Sequence, residues 1–251
     1  MKRLIGILGA LALASAAQAA ILYTNNVETA SRANAGNAGF TGVTTPADAN
    51  RFALDDVPIP ASRLGGFTSI DVTRVTVGIR RIGGAPATDI ELFHSTFANS
   101  ALAPDTVLNT PPTSAGTQSL AANGAVSVTQ LVSFGDGVST LFNTPLNMDL
   151  IGDGDPLNGP EFGSLAIGVR FSNVSSNLNG WRITNGPDAN VTTAAWMYDP
   201  GLTGSPNPEL QFNFGTALPA TFYIIVEGNP VPEPTSLALL GLGALALIRR
   251  R

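Results

Sequence analysis

Residues 165–171 read Leu165-Ala166-Ile167-Gly168-Val169-Arg170-Phe171, and this stretch decides the fold class. Leu165, Ile167, Val169 and Phe171 recur at every second position. A period of two sets all four on one face of a β-strand, whereas a helix of 3.6 residues per turn would scatter them around its circumference. The pattern returns at Val126, Val128, Val132 and Phe134, at Leu210, Phe212 and Phe214, and at Phe222, Ile224 and Val226. Between Ser69 and Ile82 the apolar phase slips from Val72 to Val75. That slip predicts a bulge near Thr73-Arg74 or a break into two strands. Turn-forming pairs punctuate the runs: Gly83-Gly84, Asn123-Gly124, Asn158-Gly159, Asn179-Gly180 and Asn185-Gly186. The expected body is all-β, about nine to eleven strands of roughly 5 to 8 residues without a helix. Two packed antiparallel sheets in a jelly-roll-like β-sandwich fit this spacing, as one domain over residues 20–229. The segment Asn109 to Ser119, rich in Thr, Pro, Ser and Gly, reads as a long surface loop within it.

Composition supports strands over helices. The 251 residues include no cysteine, one histidine and a net charge of −5, with a mean hydropathy of +0.20. The apolar surplus sits at the two ends. Between Ala20 and Val231 there are eight arginines, no lysine and 17 acids, a balance of −9. Surface helices favour Lys and Glu, and both are scarce here. The missing cysteines exclude a disulfide-stapled scaffold, a zinc finger and thiol chemistry. A single histidine excludes multi-histidine metal sites and argues against a histidine-based triad. The acidic body, without basic runs, argues against nucleic acid as a partner.

The N-terminus carries Lys2-Arg3, an apolar run from Leu4 to Ala14, and the small-x-small site Ala17-Gln18-Ala19. This is the pattern of a secretory signal peptide over residues 1–19, with signal peptidase leaving Ala20 as the first mature residue. The apolar run is too short for an uncut anchor to span a bilayer. At the C-terminus, Pro230-Val231-Pro232-Glu233-Pro234 precedes an apolar run from Leu237 to Ile248 and a final Arg249-Arg250-Arg251. Residues 235–248 as a helix would span only ~21 Å. Apolar residues nevertheless occupy every face, and terminal arginines favour the cytoplasmic side, so a short membrane-inserted helix is expected.

Val231-Pro232-Glu233-Pro234, the short apolar helix and the Arg249–Arg251 cluster resemble the PEP-CTERM sorting signal of bacteria. The resemblance covers residues 230–251 and implies recognition by an exosortase, a membrane transpeptidase that cuts near Pro-Glu-Pro. It implies export to the envelope, cell surface or extracellular space, with transient membrane anchoring, commonly in an exopolysaccharide or biofilm setting.

Within the body, Asp149, Asp153, Asp155 and Glu161 alternate with glycines and could wrap a calcium ion, which takes six to eight oxygens. Their spacing departs from an EF-hand, since Leu157 stands where a fifth-position ligand belongs, and a solvated turn is the commoner use of such a segment. Trp181 and Trp196 could form a sugar-stacking platform, although core packing is the commoner use of tryptophan. Asp55-Asp56 reads as a strand-entry loop before Val57-Pro58-Ile59-Pro60. His94 shares a face with Ile90 and Leu92, and Ser95 points the other way, so they make no Ser-His pair. A glycosidase would need two carboxylates about 5 to 9 Å apart, and no segment singles out such a pair. The resulting expectation is an exported, non-enzymatic surface or matrix protein. The alternatives are a glycan-binding module and a polysaccharide hydrolase.

Overall fold

The computed structural model describes residues 19–25, 52–96, 108, 110–149, 162–172, 178–184, 194–198, 210–213 and 221–232. They form antiparallel sheets with almost no helix. The first sheet is built on β3 (Ser69–Arg81), long enough to take two strands end to end on each flank. On one flank lie β7 (Phe142–Pro145), paired to residues 69–72, and β6 (Val128–Phe134), paired to residues 75–81. On the other lies β15 (Ile224–Val231), paired to residues 69–77, followed by β10 (Asn179–Trp181) on residues 79–81. The first strand, β1 (Ala20–Asn25), pairs with the outer edge of β15.

The expected phase slip is a bulge inside one continuous strand. Gly228 pairs with Val72 and Glu227 with Arg74, so Thr73 is the extra residue. It shifts the apolar positions from Ile70 and Val72 to Val75, Val77 and Ile79 while keeping all five in the core. The strands of the second flank part at Gly78. Its N–H donates to the Tyr223 carbonyl (3.1 Å), its carbonyl accepts from Arg182 N (2.7 Å), and Tyr223 N donates to the Arg182 carbonyl (2.8 Å). A Cβ at Gly78 would stand 2.7 Å from Tyr223 Cγ, so only glycine fits this three-way junction. Beyond it, β11 (Ile183–Thr184) pairs with β14 (Thr221–Phe222).

The second sheet is built on β9 (Phe162–Phe171), the strand with the opening alternation. One flank carries β2 (Phe52–Pro60), then β12 (Ala194–Tyr198) and β13 (Leu210–Asn213). The other carries β8 (Asn147–Asp149) and β4 (Thr88–Ser95) end to end, with β5 (Thr113–Leu120) beyond β4. The inward residues of both sheets join in one apolar cluster. Leu165, Ile167, Val169 and Phe171 meet Val72, Val75, Val77, Ile224 and Val226 there. A smaller cluster of Phe52, Leu54, Phe93, Leu108 and Ala166 lies on the reverse of the second sheet. Residues 61–64 make a single helical turn, α1 (Ala61–Leu64), that links β2 to β3 and buries Leu64.

Several expectations are corrected. Fifteen strands are described, because both sheets use short strands laid end to end. Val126 and Val128 are exposed: β6 begins only at Val128, and its buried positions are Val132 and Phe134. The segment expected as a loop up to Ser119 holds most of β5, whose residues are exposed except half-buried Ala115, which packs on the core, and Leu120 at its end. So few inward contacts impose little apolar period on it, and it is held by its ladder to β4. Asn179-Gly180 opens β10 and is not a turn. Asp55-Asp56 lies inside β2, whose prolines at 58 and 60 fall beyond the last residue paired with β12, where a missing N–H costs no ladder bond.

Candidate functional site

The last described strand runs directly into the tail. β15 stays paired to its final residue, Val231 opposite Ser69, and Pro232 is already exposed. Pro230 and Val231, the first residues after the boundary expected at residue 229, both belong to this ladder. Pro230 is tolerated because β1 no longer runs alongside it: the first residue of β1, Ala20, pairs with Gly228. Residues 230–251 match the family model described as the PEP-CTERM protein-sorting motif. The C-terminal tail is a PEP-CTERM sorting motif. No curated protein and no solved structure matches the chain. Within the PEP-CTERM tail, Pro230, Val231 and Pro232 are described. Glu233, Pro234, the apolar run and Arg249, Arg250 and Arg251 lie outside the described residues. Among the described residues no helix is long and apolar enough to cross a membrane.

At the other end, Ala17 and most of the expected signal peptide lie outside the described residues, while Ala20 opens β1. The residue expected to follow signal peptidase cleavage is thus the first residue of the first sheet.

The remaining candidates do not converge. Trp181 is 3% exposed, stacked on Phe222 with ring centroids 4.2 Å apart and 6° between planes. Its Nε1 donates to the Tyr223 carbonyl at 3.2 Å. This corrects its candidacy as a sugar platform, because a buried ring has no open face to offer and its polar edge is already bonded. Trp196 sits in β12 opposite Leu54. Asp149 ends β8 and pairs with Phe162 of β9. Asp153, Asp155 and Glu161 lie outside the described residues.

His94 is half-buried and stacked on Phe142, with centroids 3.9 Å apart. Burial lowers its pKa, and its buried Nδ1 has no hydrogen-bond partner. Ser95 Oγ instead donates to the Thr110 carbonyl at 2.7 Å.

A buried polar node went unread. Asp55 is fully buried, and its Oδ2 accepts from Phe222 N at 2.7 Å. Asn25 Nδ2 donates to the Phe222 carbonyl at 2.9 Å, and Thr184 Oγ1 donates to Asn25 Oδ1 at 2.8 Å. One residue of β14 is thereby tied to β1 and, across the core, to β2. The signal was present, since Ala53, Asp55, Val57 and Ile59 alternate and a carboxylate occupies an inward position. Arg81 is a second buried polar group. Its guanidinium donates to Asn179 Oδ1 and to the Ala121 and Pro86 carbonyls, fastening the β3–β4 turn to the β5–β6 crossing.

Proposed function

We propose that this is an exported, non-enzymatic envelope or matrix protein. A jelly-roll-like β-sandwich over residues 20–231 is delivered by a signal peptide and handed to an exosortase by its PEP-CTERM tail. The observation that carries the reading is the direct join of a matched sorting motif to the last strand of a folded sheet. A non-enzymatic role is supported by how the reactive side chains are used. His94 is stacked, Asp55 holds a backbone amide, and Glu91 and Glu227 are paired with Arg170 and Arg74. Asp136 accepts from Val138 N, Ser139 N and Ser139 Oγ within its own turn, which lowers its pKa to about 2. Intact mass of the protein released by exosortase-competent cells tests the reading. It should begin at Ala20 and end near Pro-Glu-Pro, at or after Val231. A full-length tail on the released protein would refute it.

A further inference from the structure

The first sheet ends in an open edge at β6. Its partner β3 lies on one side, and among the described residues no strand pairs with the other. The junction at Gly78 fixes which backbone groups face outward there. Gly78 N donates to the Tyr223 carbonyl and the Gly78 carbonyl accepts from Arg182 N, both on the far flank of β3. Neither group is left for Leu131, the residue opposite it in β6. Facing residues that exchange no bond turn their N–H and C=O away from each other. Leu131 therefore presents both groups outward, and so do Thr129 and Ser133, two residues to either side.

The surroundings of this edge are apolar and uncharged. Among the described residues five large apolar side chains stand exposed, and four of them occupy or flank β6. They are Val126 (72%), Val128 (37%), Leu131 (55%) and Val138 (83%). Residues 106–135 contain no Asp, Glu, Lys, Arg or His, in a body whose balance is −9. That run includes β5, the edge strand of the other sheet. β5 lies beside β6, since a Cβ on Gly116 would stand 3.9 Å from Phe134 Cδ1. Edge strands are ordinarily shielded by a charge, a proline or a bulge, and β6 has none of these.

We propose that β6 is the seam of a symmetric dimer, its occupant a second copy of this chain. The strand is its own complement about a two-fold axis at Leu131. Antiparallel pairing there sets Leu131 against its copy as a hydrogen-bonded pair, Thr129 against Ser133, and Val128 against Phe134. Hydroxyl pairs and aromatic–β-branched pairs are among those that stabilise facing strands. The uncharged run is also where a body carrying −9 can approach its copy without opposing like charges. A seam of seven residues, ~24 Å long, is small for a specific interface, so the association is reversible and concentration-dependent.

The test uses the full-length chain in detergent, where the lack of cysteine makes each introduced thiol unique. Opposed Leu131 Cα atoms would lie ~5.5 Å apart, within disulfide reach. Oxidised with copper phenanthroline, Leu131→Cys should form a covalent dimer at least about tenfold faster than two exposed controls. These are Val138→Cys, away from the axis, and Thr117→Cys, in β5. Sedimentation equilibrium from about 1 to 300 μM should show a monomer–dimer equilibrium that Leu131→Lys weakens at least about tenfold, with an unchanged circular dichroism spectrum. Equal rates for the three thiols, a faster thiol at 117 or 138, or a monomer throughout that range would overturn the seam. So would a dimer that survives Leu131→Lys, which would place the association in the tail or elsewhere.

Discussion

Replacing Trp181 by alanine separates a structural tryptophan from a ligand platform. The indole fills a site between β10 and β14, stacked on Phe222 and 3% exposed. Burying a tryptophan removes roughly 150–250 Å² from water, which at ~25 cal/mol per Å² is an upper bound of about 4–6 kcal/mol. The hydrogen bond adds little to the cost, because the Tyr223 carbonyl keeps its bond from Gly78 N when Nε1 is gone. A residual cavity and partial collapse place the expected loss at about 3–5 kcal/mol. For a domain of this size that is a fall in Tm of roughly 6–20 °C. Trp181→Phe, which keeps a ring against Phe222, should lose less. The assay is urea denaturation followed by far-ultraviolet circular dichroism on chains ending at Pro232. Acrylamide quenching of Trp181 emission in a Trp196→Phe background provides the direct exposure check. An unchanged midpoint for Trp181→Ala, together with ready quenching of its fluorescence, would refute the buried assignment and reopen sugar stacking.

Asp55→Ala strands the Phe222 amide inside the core and should cost at least about 1–3 kcal/mol by denaturant titration, with Asp55→Asn costing less because an acceptor oxygen remains. An unaltered midpoint for the alanine variant would contradict the node. Burial lowers the His94 pKa from its ordinary 6.5, so the unfolded chain binds a proton more readily. The stability contribution is therefore full above about pH 6.5 and diminishes as the pH falls below that value, and His94→Phe should flatten this part of the stability–pH curve. Identical curves for the two proteins would remove the assignment. Calcium should raise the melting temperature if Asp149, Asp153, Asp155 and Glu161 coordinate it, and melting curves that coincide in calcium and in EDTA would retire that proposal.

What could be read from the chain follows from which physical constraint shaped each part. Leu165 to Phe171 and Phe222 to Val226 are legible because burial on one face imposes a period of two. The Thr73 bulge is legible for the same reason, as a slip in that period between Val72 and Val75. β5 carries little such imprint, since only Ala115 and Leu120 touch the core and its pairing with β4 rests on backbone bonds that any sequence can make. Asp55 was hidden by its own chemistry. A carboxylate beside prolines reads as solvated until Phe222, distant in the chain, supplies the amide that justifies burying it. Trp181 is legible as a core residue, but its partner is not, because pairing across long separations leaves no local trace. The PEP-CTERM tail was readable in full because a linear signal is recognised residue by residue and needs no fold to assemble it.

The position of that signal also bears on how the domain is completed. β15 is the last of the described strands in chain order, yet it lies between β1 and β3. Until it arrives, β1 has no neighbour among the described strands of the first sheet, and the inward residues Ile224 and Val226 are missing from the core. Closing that sheet joins the two ends of the chain, a non-local pairing of the kind that slows folding. Pro232 follows the last paired residue and lacks the N–H that would let pairing continue. Val231 remains paired while Pro232 is exposed. Pro232 therefore ends the described ladder within the first residues of the matched sorting motif.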